Sequence, residues 1–153
     1  MKVGLVGCGN ISEIYFNCQK IFNNFKITTC ADINQESADK SAKEHNVKVQ
    51  TVDELMANKE IDLILNLTPP SSHKDVIVKS LMSGKHCFSE KPLAMNFEEA
   101  LEIEKLSKEK GLKVGCAPDT FLGAAGQKSR ELLENNSIGK IVLGTFNLMS
   151  HGM

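Results

Sequence analysis

The chain has 153 residues, 41% hydrophobic and 24% charged, with 18 basic against 19 acidic residues and a formal net charge of −1. That length is one domain's worth and enough to bury a real core, and the balance is that of a globular chain, which excludes wholesale disorder. No basic stripe or aromatic–basic interleaving marks a nucleic-acid surface, and no segment approaches the roughly 20 apolar residues of a membrane helix.

The opening "KVGLV" reads as an apolar strand that breaks into Gly7, Cys8, Gly9 and Asn10 before a helical period begins. Ile11, Ile14, Tyr15, Cys18, Ile21 and Phe22 recur at the spacing of one helix face. "FKITTCAD" is a second strand, "NQESADKSAKEHN" a polar helix, "VKVQ" a short third strand, and a one- or two-turn helix follows around Glu54–Ala57. "IDLILNL" is a nearly continuous apolar run, the kind buried on both faces of a parallel sheet. A helix then starts at Ser71 or Ser72 as N-cap, with His73, Val76, Ile77, Ser80 and Leu81 on one face, and stops at Gly84. "HCFSE" is a fifth strand. Asn96 and Glu99 stand in capping-box spacing ahead of a helix that ends at Gly111, and "LKVGCA" is a sixth strand. "FLGAAGQKSRELLENNSIG" predicts one more helix and "KIVLGTFNLMS" one more strand.

Strands alternating with helices predict an α/β fold, a doubly wound parallel sheet with right-handed crossovers. The sequence stops in mid-pattern after an apolar strand, which predicts a dinucleotide-binding domain over residues 1–119 and a fragment of a second domain over 120–153. The five cysteines (Cys8, Cys18, Cys30, Cys87, Cys116) form no C-x-x-C pair and read as free thiols of a soluble, cytoplasmic protein.

Gly7-Cys8-Gly9-Asn10-Ile11-Ser12 fits G-x-G-x-x-G except that Ser12 replaces the third glycine. The pattern gains weight from its place between a strand and a helix, where bare backbone admits a pyrophosphate. Asp32 ends the second strand, 23 residues after Gly9, where a carboxylate accepts hydrogen bonds from ribose hydroxyls and repels a 2′-phosphate. That favours NAD over NADP. "NLTPPSSH" ends the fourth strand with two prolines that stiffen the loop and lack backbone donors, leaving a flat apolar surface. "SEKPL" ends the fifth and puts Lys91 at the same sheet edge. Each has a bland alternative: a plain glycine turn, a solvated strand-end aspartate, a packing histidine at His73, a surface lysine. Three unusual loops converging on one edge outweigh them.

Together the glycine turn, Asp32, "TPPSSH", "GKHCFSEKP" and "APDTFLG" resemble the Gfo/Idh/MocA oxidoreductases along essentially the whole chain. The resemblance implies an N-terminal Rossmann domain that binds NAD(P) and a C-terminal α/β domain with a large open sheet. It implies that Gly7, Gly9, Asn10, Ile11 and Ser12 hold the dinucleotide, with Asp32 and Ile33 at the adenosine ribose. Thr68, Pro69, Pro70 and His73 would line the cofactor cleft. Glu90 and Lys91 would lie near the nicotinamide, with Lys91 as the catalytic contact to a sugar, cyclitol or related hydroxyl and a cis peptide before Pro92. No metal is implied, and a homo-oligomer would form through the second domain. The chain departs from the family at Pro118, Asp119 and Thr120, where many members carry arginine. A non-enzymatic NAD sensor and an S-adenosylmethionine methyltransferase are the alternatives; the latter gives the EKP and TPP loops no role.

Overall fold

A short turn cannot join two parallel strands, so each apolar strand hands the chain to a crossover that packs back on the sheet. The computed structural model describes residues 1–117, 120–145, 147 and 149. Strands β1 (Lys2–Val6), β2 (Lys26–Ala31), β3 (Lys48–Val49), β4 (Leu63–Asn66), β5 (His86–Ser89) and β6 (Val114–Cys116) form one sheet. Their order is β3-β2-β1-β4-β5-β6, and every pair is parallel. Helices α1 (Ser12–Cys18), α2 (Gln35–His45), α3 (Val52–Ala57), α4 (His73–Met82) and α5 (Phe97–Lys110) make the crossovers. This is the doubly wound order that the alternating pattern predicts. The described residues contain no antiparallel strand of the kind that usually closes a methyltransferase sheet.

Each face of the sheet has its own core. Along β1, Leu5 and Val6 point to opposite sides, as the strand period of two requires. Val6, Ile64 and Cys87 pack with Leu55 of α3, Val76, Ile77 and Leu81 of α4, and Ile103 of α5. Val3, Leu5, Ile27, Cys30 and Leu65 pack with Phe16 of α1. The helix starts follow their sequence signals. Asn34 accepts from Ser37 N at 3.1 Å, Asn96 accepts from Glu99 N at 2.9 Å, and Thr51 with Glu54 forms a reciprocal capping box. Each such cap contributes about 1 kcal/mol. Ser72 occupies the N-cap place of α4, but its side chain makes no capping bond; Pro70–Ser72 is instead a 3-10 turn leading into the helix.

Two expectations fail. The first concerns α1. Ile14, Ile21 and Phe22 are 59%, 75% and 54% exposed, while Ser12 and Phe16 are buried. The rotation of α1 is set by its entry: Ser12 Oγ donates to Gly9 O at 2.7 Å and turns that small residue, with Phe16 four later, toward the sheet. The apolar stripe read from the sequence lies beside this face, and the helix ends at Cys18 before reaching Ile21. Phe16 also stacks on His45 of α2, ring centroids 3.9 Å apart, and His45 Nε2 lies 2.9 Å from Glu13 Oε2.

The second concerns the C-terminal strand. The chain divides into two compact units, residues 1–118 and 119–153, and the sheet belongs to the first. The second contains α6 (Ala124–Glu134), after a 3-10 turn at Thr120–Leu122. Residues 140–145 are exposed and form no strand. Alternating apolarity suits a pleated chain, but a strand exists only where a neighbour supplies the ladder. Residues 118, 119, 146, 148 and 150–153, which include Pro118 and Asp119 of the family departure, lie outside the described residues.

The α1 finding separates two substitutions. Phe16→Ala is expected to destabilise the chain by about 3–5 kcal/mol in denaturant unfolding. Ile14→Ser, equally disruptive on the periodicity reading, should change stability by no more than about 0.5 kcal/mol. A large loss at Ile14 would restore the sequence-predicted face.

Candidate functional site

All six strands run the same way, so the loops after them emerge at one edge. Ala31, Val6, Asn66 and Ser89 are lateral neighbours across β2, β1, β4 and β5. Asp32, Gly7, Leu67 and Glu90 therefore begin four adjacent loops. Between β1 and β4 the connections leave to opposite faces, and a cleft of about 590 Å³ opens there. Its volume suits a small-molecule or cofactor site.

The glycine turn forms one wall. Gly7 has φ +100, and a Cβ there would sit 2.7 Å from the carbonyl carbon and oxygen of Leu67. Glycine at 7 is thus required by the protein itself. Gly9 differs: a Cβ there would meet nothing within 4 Å. The fold leaves room for a side chain at position 9, so no contact among the described residues requires glycine there. Ser12 is only 4% exposed, and both its N–H and its hydroxyl donate to Gly9 O, at 3.0 and 2.7 Å. It shapes the turn from behind instead of facing the cleft.

Asp32 anchors the second wall. Its Oδ2 accepts from Cys8 N at 2.6 Å and its Oδ1 from Asn34 N at 2.8 Å, which ties the glycine turn to the end of β2. Each carboxylate oxygen keeps a further acceptor direction, enough for two hydroxyl donors. Ile33 is fully exposed beside it. The neighbouring Cys30 thiol, then burial, pushes the Cys8 thiol up, with the Asp32 carboxylate adding to the effect, and Cys8 pulls Cys30 down; Cys8 Sγ itself lies 3.7 Å from Ala31 O.

The opposite wall is held by buried polar groups at the end of β4. Asn66 is fully buried; its Nδ2 donates to Ser89 Oγ at 3.1 Å and to His73 O at 3.2 Å. Its Oδ1 accepts from Thr68 Oγ1 at 2.7 Å, and its carbonyl accepts from Glu90 N at 2.9 Å. His73, 1% exposed, reaches two main-chain oxygens: Nδ1 lies 2.5 Å from Pro92 O and Nε2 2.8 Å from Thr68 O. Among the described residues no buried side-chain nitrogen or oxygen lacks a partner.

Glu90 and Lys91 continue from β5. Tyr15 Oη of α1 donates to Glu90 Oε1 at 2.7 Å, and Lys91 N donates to Glu90 Oε2 at 3.1 Å. The Lys91–Pro92 peptide is cis, as the resemblance implies. Lys91 is exposed, and its ammonium makes no hydrogen bond or ion pair among the described residues.

Of the predicted residues, Gly7, Gly9, Asn10, Ile11, Asp32, Ile33, Thr68 and Pro69 line the cleft together. His73 and Ser12 do not; each is buried behind a loop that does line it. Pro70, Glu90 and Lys91 lie outside the cleft wall. Val6, Val52, Leu67, Ser72 and Val76 line it unforeseen. The only available signal was positional: Val6 and Leu67 sit where β1 and β4 end.

Comparison with known proteins places this geometry. The model of an oxidoreductase family with an NAD-binding Rossmann fold, Gfo/Idh/MocA, matches residues 1–117. The chain is 30% identical over 145 residues to 2,7-anhydro-N-acetylneuraminate hydratase of Escherichia coli, covering 93% of this chain and 38% of the relative. It is 23% identical over 145 residues to inositol 2-dehydrogenase of Rhizobium meliloti, covering 95% and 44%. The crystal structure of a putative NADPH-dependent oxidoreductase from Desulfitobacterium hafniense superposes with a TM-score of 0.84 at 25% identity, covering 92% of this chain and 41% of that one. The chain thus spans about two fifths of the length of the proteins it matches.

The two glycines should respond differently to substitution. Gly7→Ala is expected to cost about 1–3 kcal/mol from backbone strain alone, before the contact with Leu67 is counted. Gly9→Ala should leave the melting temperature of the chain nearly unchanged. Calorimetric unfolding of both variants checks this, and equal losses would remove the distinction.

Proposed function

This chain belongs to the Gfo/Idh/MocA oxidoreductase family, and from that premise we propose that it is the cofactor-holding part of an NAD-dependent dehydrogenase. The reaction moves hydride to or from a carbinol carbon of a sugar, cyclitol or related hydroxy compound, a reading that the inositol dehydrogenase among its relatives supports. The observation that carries it is that bare backbone at Gly9 and the Asp32 carboxylate line one cleft together. A pyrophosphate needs the first and a ribose diol the second. An ionised Asp32 repels a 2′-phosphate, and the chain's single arginine is Arg130, far along the sequence. NAD is therefore preferred over NADP.

NAD, when bound, supplies the hydride acceptor, or in reduced form the donor. The rest falls to this chain. Gly7, Gly9, Asn10 and Ile11 would receive the phosphates; Asp32 and Ile33 would receive the adenosine ribose. Lys91 would orient the substrate oxygen and stabilise alkoxide charge on it: in the reducing direction its ammonium gives that oxygen the proton that makes the hydroxyl, and in the oxidising direction the same nitrogen, as the amine, takes the hydroxyl proton as the carbonyl forms. Glu90 accepts from Tyr15 and from its own loop, and so steadies the segment that bears Lys91. We assign residues 120–153, with α6, to the start of a substrate and oligomerisation domain, because the relatives align over 93% and 95% of the chain, past the end of the family match. A second reading follows from the relative named as a hydratase. The same hydride step can be transient, drawn from the substrate and returned to it, so that the net reaction is not a redox change.

Titration calorimetry on this chain tests the cofactor assignment. NAD should bind at least about tenfold more tightly than NADP, a difference of ~1.4 kcal/mol. Equal or tighter NADP binding would sink the role given to Asp32. Gly9→Val should fold yet lose NAD affinity by about a hundredfold or more, ~2.7 kcal/mol, because its side chain fills the space kept for phosphate.

Lys91 is tested in the active enzyme. Lys91→Met should lower kcat by a factor on the order of 10²–10⁴, as expected for a lost acid/base group, while NAD affinity changes far less. Near-normal turnover would make it an ordinary surface lysine.

A further inference from the structure

A buried histidine with one hydrogen bond is ordinary packing; His73 is built differently. Its two ring nitrogens face main-chain oxygens of two separate loops, Nε2 toward Thr68 at 2.8 Å and Nδ1 toward Pro92 at 2.5 Å. Thr68 lines the cleft, and Pro92 follows Lys91 directly. With 1% of its surface exposed, the ring cannot touch cofactor or substrate. Its main chain is held too: its own carbonyl accepts from Asn66 Nδ2 at 3.2 Å, and Asn66 Oδ1 in turn accepts from Thr68 Oγ1. Carbonyl oxygens only accept and a neutral imidazole carries one N–H, so a neutral ring bonds one arm at a time and both arms are bonded together only when the ring carries two protons.

We propose that His73 is a positioning residue that couples the cleft wall at Thr68 to the loop bearing Lys91, so that occupation of the cleft sets the aim of the Lys91 ammonium. The coupling rests on the dinucleotide reading of the cleft; the clamp itself does not. Ligand contacts that order Thr68 restrain its carbonyl, and the rigid ring transmits the restraint to Pro92. The chain there has little other freedom, because Glu90 is already tied to Asn66 and Tyr15. Coupling through a bonded element with two loop ends needs no movement of the sheet.

Side-chain amides separate the two arms. In His73→Gln the amide nitrogen lies near the place of Nε2 and keeps the Thr68 arm; in His73→Asn it lies near Nδ1 and keeps the Pro92 arm. His73→Leu keeps neither. All three are compared with the unchanged chain for NAD affinity by calorimetry, and for hydrogen exchange at Glu90, Lys91, Leu93 and Ala94 with and without saturating NAD. In the unchanged chain, NAD should slow exchange at these four amides. His73→Gln should bind NAD within about threefold of normal but lose that added protection. His73→Asn should keep the basal protection of the loop and bind NAD about tenfold more weakly, the usual scale for one lost hydrogen bond. His73→Leu should lose both.

If all three variants shift together in proportion to their melting temperatures, His73 is packing alone and the proposal falls. It falls equally if NAD leaves exchange at residues 90–94 of the unchanged chain untouched. Should the unchanged chain bind neither NAD nor NADP, the cofactor reading fails on its own. The clamp is then judged on the ligand-free exchange pattern, where His73→Asn must protect the loop better than His73→Gln does.

Discussion

The buried amide of Asn66 sets the geometry on which the site depends. It ends β4 beside Val6 of β1 and Ser89 of β5, where strand order reverses and three loops must part without leaving buried polar groups unpaired. An unpaired amide there would cost about 1–3 kcal/mol. Asn66 avoids this by bonding outward in several directions, to Ser89, to Thr68, and to the first residue of α4. A leucine of similar volume would fill the space and tie nothing. The polar residue converts three loop ends into a single connected structure, and the cleft has its shape because those ends cannot drift.

The two walls of the cleft obey different constraints. On the β1 side, Gly7 is demanded by the backbone of Leu67 pressing against it, a requirement internal to the fold. Gly9 meets no such neighbour among the described residues, so the fold itself does not require glycine there. Asp32 ties the glycine turn to the end of β2, accepting from Cys8 N on one side and Asn34 N on the other, so the two segments are set relative to each other by one side chain. On the β4 side, Thr68 and Pro69 face the cleft while His73 stands behind them.

The loop after β5 is held from two sides, Glu90 by Tyr15 of α1 and Pro92 by His73. Lys91 lies between these two anchors, exposed and with no hydrogen bond or ion pair of its ammonium among the described residues.

The sequence alone determined the strand–helix alternation, the parallel doubly wound class, the glycine turn, the strand-2 aspartate and the edge where the unusual loops meet. Each of these is written in local spacing, in period, or in a residue with special backbone freedom. It could not determine which face of α1 meets the sheet, because Ile14, Ile21 and Phe22 outweigh Phe16 in any count of apolar residues. Only the Ser12–Gly9 contact at the helix entry decides the rotation. It could not tell a histidine in the cleft from one behind it, since His73 at the start of α4 suits either. That choice depends on Pro92, 19 residues away, offering its carbonyl from another strand's loop. And it read residues 140–149 as a strand from alternation, whereas the described residues 140–145 form none, because a strand is a property of two segments in register and not of one. Local chemistry settled what each segment is able to be; contacts made only in the folded chain settled what it faces.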